Sequence, residues 1–162
     1  MEKNKNTDLF EKFLRIIDTF NRFEVQYVVI GGVAMITHGM PRLTQDLDLL
    51  LELSDTNITR LQQALQSIYD DTAIDEITHT ALEESSVIRY GTPDNFYLDL
   101  MGRIGEVADF HSVRSERRII GGVAIILATA ESLLQLKRNT IRPEDKRDCL
   151  FLERLIEERK KD

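Results

Sequence analysis

The chain has 162 residues, 42% hydrophobic and 30% charged, with a formal net charge of −7. That length suits one domain with a sizeable core, and the acidic balance weighs against a polymerase or repressor that grips long nucleic acid through many phosphates. No apolar run approaches the ~20 residues needed to span a bilayer. The early lysines are not followed by the apolar segment of a signal peptide. Cys149, the lone cysteine, cannot form an internal disulfide. A cytoplasmic protein without membrane contact is expected.

Apolar residues Leu9, Phe10, Phe13, Leu14, Ile16, Ile17 and Phe20 recur at helical spacing across residues 7–23, with Thr7 or Asp8 as N-cap. A strand is expected at residues 26–30. A short helix then opens at Gly31-Gly32, runs to His38 and is closed by Gly39 and Pro41. Residues 43–52 alternate as a strand, with Leu47, Leu49 and Leu51 on one face and Asp46, Asp48 and Leu50 on the other. Ser54 or Asp55 opens an amphipathic helix to Tyr69, and residues 70–84 read as a turn and a short helix. Residues 86–90 and 96–101 form an antiparallel hairpin. Residues 103–116 fit no single pattern, and residues 118–127, split by Gly121-Gly122, read as a second hairpin. Thr129 caps a helix to about Asn139, and Pro143 suits the first turn of a last helix. Strands and helices mix without regular βαβ alternation, so the expected class is α+β. It is read as one domain over residues 1–162, with an N-terminal helix and a C-terminal helical pair.

The chemistry concentrates between Tyr27 and Glu52. Asp46 and Asp48 point to the same strand face, roughly 6–7 Å apart, a separation that suits carboxylates flanking one or two hard cations. Asp99, between Leu98 and Leu100, is a third carboxylate on an apolar strand. If its strand neighbours the first, three carboxylates converge into the ligand set of two-metal phosphoryl chemistry, in which one ion activates the attacking hydroxyl and the other neutralises the leaving pyrophosphate. The competing reading is the solvated face of an edge strand. Gly31-Gly32 follows a strand and opens a helix, where backbone N–H groups and the helix dipole favour phosphate. Gly121-Gly122 has no carboxylate pair downstream and reads as a plain turn. Arg42 and Thr44 precede the aspartates; Arg42 either reaches a triphosphate or pairs with an aspartate. His38 reads as a helix-end or packing residue, because hard-metal sites favour oxygen.

These residues resemble the DNA polymerase β-like nucleotidyltransferase superfamily: a glycine pair at a helix start, a hydrophobic-Asp-hydrophobic-Asp strand, and a third aspartate on a later strand. Within it the chain is similar to small prokaryotic abortive-infection toxins (AbiEii-like). The shared phrase is matched by Gly31, Gly32, Ala34, His38, Gly39, Arg42, Thr44, Asp46 and Asp48, and a later phrase by residues 133–138 and 142–148. The resemblance implies a nucleotidyltransferase fold, a central mixed sheet flanked by helices. It implies Asp46, Asp48 and Asp99 as ligands of two Mg²⁺ ions, with Mn²⁺ as an alternative and Asp99 near the attacking hydroxyl. It implies Gly31, Gly32, Arg42, Thr44 and Lys137 as nucleotide contacts. Many superfamily members carry Gly-Ser where this chain has Gly31-Gly32, so a serine hydroxyl is missing, and the register of Lys146 and Asp148 against Asp145 departs from the family's compact late phrase. The implied reaction moves a nucleoside monophosphate from an NTP to the hydroxyl of a tRNA 3′ end, a protein or a small molecule. The implied setting is a toxin–antitoxin pair with an antitoxin protein as partner. The alternative is a catalytically silent member kept as a binding module. Lys137, Arg138, Arg142, Lys146 and Arg147 form either an RNA-facing patch or a solvated helix surface.

Overall fold

The computed structural model describes residues 5–106, 108–138 and 142–161. Helix α1 (Lys5–Arg22) leads into β1 (Tyr27–Ile30), α2 (Gly31–Thr37), β2 (Asp46–Leu51) and α3 (Asp55–Tyr69). A 3-10 turn (Thr72–Glu76) and α4 (His79–Glu84) precede the hairpin of β3 (Ile88–Gly91) and β4 (Tyr97–Met101). Then come a small pair, β5 (Arg103–Ile104) and β6 (Ala108–Asp109), and a longer hairpin, β7 (Ser115–Ile120) and β8 (Val123–Ala128). Helices α5 (Ala130–Lys137) and α6 (Pro143–Lys160) end the described chain.

The fold is α+β. Six strands form one mixed sheet in the order β3-β4-β2-β1-β8-β7. β1 pairs antiparallel with β2 and parallel with β8, and β2 pairs parallel with β4. β2 is therefore an interior strand. Leu47, Leu49, Leu50 and Leu51 are fully buried, so the reading of its aspartates as the wet face of an edge strand does not hold. α1 lays Phe13, Ile16, Ile17 and Phe20 into the core, against β8 and α3, and α5 packs on α6.

Local chemistry explains the main boundaries. The Ser54 hydroxyl accepts the Asn57 N–H at the start of α3, and Thr129 accepts the Ser132 N–H at the start of α5, each satisfying an otherwise orphan donor. Pro143 occupies the first turn of α6. Buried Asn57 accepts the Gln26 N–H at 2.7 Å and donates to the Gln26 and Glu52 carbonyls at 2.9 and 2.8 Å. It thereby pins the start of β1 to the end of β2.

Several boundaries differ from expectation, among them β7, which begins at Ser115 rather than Arg118, and β3, which begins at Ile88 rather than Ser86. α1 begins at Lys5, so Thr7 and Asp8 lie inside its first turns and neither is the N-cap. α5 ends at Lys137, and Asn139 lies outside the described residues. β2 starts at Asp46 rather than Leu43, because its partner β1 ends at Ile30 opposite Asp48 and β4 begins at Tyr97 opposite Asp46. Unpaired, residue Leu43 is 71% exposed, and the Thr44 hydroxyl closes a local turn on the Asp46 backbone at 3.1 and 3.3 Å.

Candidate active site

Asp48 and Asp99 are register partners across the parallel β2–β4 pair, and Asp46 lies opposite Tyr97. Alternation turns all three carboxylates to the face opposite buried Leu47, Leu49, Leu98 and Leu100. The turn from β1 into α2 approaches this face closely. Gly31 has φ +66, and a Cβ there would overlap the Asp48 carboxylate. Only glycine fits that position on both counts. Ile30, the N-cap of α2, supplies no side-chain hydrogen bond. A Cβ on Gly32 would sit 3.0 Å from the Thr44 hydroxyl oxygen, so the space of the missing serine is taken up by Thr44.

The charge at this face is unbalanced. Burial pushes the Asp48 carboxyl from the ordinary 3.8 to about 7, followed by the charge of Asp99, the hydrogen bond it shares with Asp99 and the charge of Asp46, with Lys137 opposing. Arg89, missing from the sequence reading, bridges the other two. Its Nε donates to Asp99 Oδ1 at 2.9 Å, and its Nη2 to Asp99 Oδ2 at 3.0 Å and Asp46 Oδ2 at 3.1 Å. The register of the β3–β4 hairpin, with Arg89 opposite Asp99, was the signal that could have found it.

Lys137 and Arg42 meet on the neighbouring helix α6. Lys137 Nζ donates to Asp148 Oδ2 at 2.8 Å and Asp145 Oδ1 at 3.2 Å. Arg42 holds both oxygens of Asp148 at 2.8 and 3.0 Å, and Arg142 Nε reaches Asp145 Oδ2 at 2.9 Å. Asp145 and Asp148, three apart on α6, are both buried, which settles their register: each is an inward ligand of Lys137, while Lys146 is exposed. Buried carboxylates require such partners. A cavity of about 190 Å³ joins this cluster to the carboxylate face, lined by Gly31, Asp48, Met101, Leu136, Lys137 and Arg142. Arg42 and Thr44 also line a larger apolar cavity, about 340 Å³, against Leu9, Phe10 and Phe13 of α1.

A family model, described as "Nucleotidyl transferase AbiEii toxin, Type IV TA system", matches residues 12–109. The chain belongs to the AbiEii nucleotidyltransferase family. Family membership makes it an enzyme of nucleotidyl transfer and implies an NTP substrate and, for a type IV toxin, an antitoxin. No curated protein matches the chain. Solved structures share its fold at low identity. One is an antigenic nucleotidyltransferase-like protein from Paracoccidioides brasiliensis (TM-score 0.59, 15% identity, 91% of this chain and 76% of that one). Another is the lincosamide antibiotic adenylyltransferase LnuA in its lincomycin-bound form (0.57, 15%, 90% and 96%). A third is the antibiotic-resistance factor ANT(2'')-Ia (0.54, 13%, 93% and 83%). These likenesses establish the nucleotidyltransferase fold.

Enzymes of this family are typically metal-dependent. The donor set fits hard divalent cations in its chemistry: three carboxylates, no sulfur or imidazole, and an excess negative charge that raises Asp48. Among the described residues, however, no three such side chains are assembled as a metal cage; oxygens of Asp46 and Asp99 face Arg89 instead. His38 stands apart as a packing residue. Its Nε2 donates to the Ala128 carbonyl at 2.9 Å, its Nδ1 accepts from Arg118 and Arg159, and burial lowers its pKa. The basic run divides. Lys137 turns inward to Asp145 and Asp148, whereas Arg142, which pairs with Asp145 and Glu144, is exposed along with Arg138, Lys146 and Arg147. No helix among the described residues is long and apolar enough to cross a membrane.

Proposed function

We propose that this chain transfers a nucleoside monophosphate from an NTP to an acceptor hydroxyl at the face formed by Asp46, Asp48 and Asp99. The observation that carries the reading is the in-register approach of Asp48 and Asp99, with Gly31 folded directly against Asp48. Divalent cations, Mg²⁺ or Mn²⁺, held by the three carboxylates would offset the charge of the triphosphate and of the leaving pyrophosphate. Asp99 takes the proton of the acceptor hydroxyl as its oxygen bonds to the α-phosphorus. The bond from that phosphorus to the bridging oxygen breaks, and pyrophosphate leaves. The backbone at Gly31-Gly32 and the Thr44 hydroxyl face the phosphates. Lys137, held in place by Asp145 and Asp148 at the wall of the shared cavity, contributes positive charge beside them, and Arg42 fixes Asp148 from the other side.

The acceptor is the hydroxyl of a tRNA 3′ end, a protein side chain or a small molecule, and the partner is an antitoxin protein. Incubation with each labelled NTP, Mg²⁺ and a pool of tRNA, protein and small-molecule acceptors tests the reading. Label should enter one acceptor class with the wild-type chain and none with an Asp46→Asn, Asp48→Asn double variant. Transfer retained by that double variant would remove Asp46 and Asp48 from the site.

A further inference from the structure

The carboxylate face already holds a cation, and it comes from the protein. Arg89 makes three charge-assisted hydrogen bonds, at 2.9, 3.0 and 3.1 Å, to three oxygens of Asp46 and Asp99. Its guanidinium also lies 4.7 Å from the centroid of the Tyr97 ring, an added attraction for a cation. Two features make this contact releasable. β3 is the outer strand of the sheet, and the Arg89 side chain is 53% exposed, so it can swing into solvent through its own rotamers without moving a backbone. The oxygens it engages are also those that a hard cation bridging Asp46 and Asp99 would need. The guanidinium and a divalent cation compete there for the same lone pairs and the same negative charge.

We propose that Arg89 is a resident counter-cation of the carboxylate face: it neutralises Asp46 and Asp99 while the metal is absent, and must leave them before a divalent cation binds. It is a positioning residue that sets how tightly the metal loads. This rests on the reading of Asp46, Asp48 and Asp99 as the metal-holding residues. A bidentate guanidinium on a carboxylate is the strongest common side-chain competitor for its oxygens. Half-exposure and salt screening moderate that strength. Lysine cannot reproduce the fork that spans both carboxylates.

The test is Mn²⁺ binding to the full chain without nucleotide, followed by the electron-spin resonance signal of free Mn²⁺. Arg89→Met should bind Mn²⁺ about tenfold more tightly than the wild type, with Arg89→Lys between the two. In EDTA, Arg89→Met should melt lower than the wild type because Asp46 and Asp99 repel each other unscreened, yet gain more on addition of Mn²⁺. If wild-type binding is lost in Asp48→Asn but Arg89→Met binds no tighter than wild type, the counter-cation role is wrong and the metal site stands. If neither wild type nor Arg89→Met binds Mn²⁺ at millimolar concentration, the metal-site reading fails, and this inference with it.

Discussion

Asp48→Asn should make the metal-free protein more stable at pH 8, although it removes a group central to the proposed reaction. Asp48 is raised from 3.8 to about 7, first by burial and then by Asp99 and Asp46. A carboxyl whose pKa is raised on folding holds its proton more tightly in the folded chain. Its contribution to stability is therefore fully present below pH 3.8 and is lost as the pH climbs through about 7. At pH 8 the folded chain carries an ionised Asp48 at a cost of about 4 kcal/mol, from roughly three pKa steps of 1.36 kcal/mol each. Asparagine has no charge to bury, and its amide can donate to Asp99 where the Asp48 proton did. The expected gain is about 2–4 kcal/mol at pH 8 and close to zero at pH 4, once the imperfect geometry of the amide is allowed for. Urea titrations of both proteins in EDTA at the two pH values measure it. A variant that is no more stable than wild type at pH 8, or whose gain is equal at both pH values, would refute the charge argument.

Gly31→Ala forces a Cβ onto the Asp48 carboxylate at a backbone φ of +66; a loss of about 1–3 kcal/mol together with loss of nucleotidyl transfer is expected in parallel melts and transfer assays. Asp148→Ala strips a buried partner from both Arg42 and Lys137 and should cost about 3–5 kcal/mol, read as a lower urea midpoint, whereas Lys146→Ala on the exposed side of the same helix should stay within about 0.5 kcal/mol of wild type. If the acceptor is a nucleic acid, reversing Arg138, Lys146 and Arg147 to glutamate should raise the acceptor KM and flatten its salt dependence while leaving the NTP KM unchanged; an unchanged acceptor KM would point to a small molecule or protein.

What the sequence shows well is what neighbouring residues decide among themselves. Ser54, Thr129 and Pro143 mark helix starts because capping acts within three residues. Leu47, Asp48 and Leu49 reveal a strand because alternation is local, and the two hairpins follow from their turns. Asp99 stands out in the same local way, as a carboxylate between Leu98 and Leu100 on an apolar strand. Pairing between distant segments is not encoded in that way. Nothing near Asp48 specifies that β2 runs parallel to β4 with Asp48 against Asp99, and the start of β2 is set by where β1 and β4 stop. Arg89 looks like any alternating strand residue until the hairpin register puts it across from Asp99. Asp145 and Asp148 look like surface carboxylates on a charged helix, and their burial emerges only once α6 packs on α5 and meets Arg42 from the loop before β2.

The two charge clusters are better understood together than separately. Behind Gly31, three cations, Arg42, Lys137 and Arg142, are paired with the buried Asp145 and Asp148 and the exposed Glu144. In front, one arginine bridges Asp46 and Asp99 and does not reach Asp48, which leaves a negative excess. Lys137 is the link, since its charge already opposes the rise in the Asp48 pKa. On the proposed function, a magnesium-bound triphosphate, a polyanion with its own cation, would place its phosphates toward Lys137 and its cation toward the carboxylates. Held on both sides by aspartates and only 14% exposed, Lys137 cannot follow a ligand as a surface lysine would. On the proposed function its contribution would be a fixed positive field at the α5–α6 junction, preorganised for the nucleotide. Of the basic run only Lys137 is committed to the interior, at 14% exposure, whereas Arg142 holds Asp145 from the solvent side at 68%.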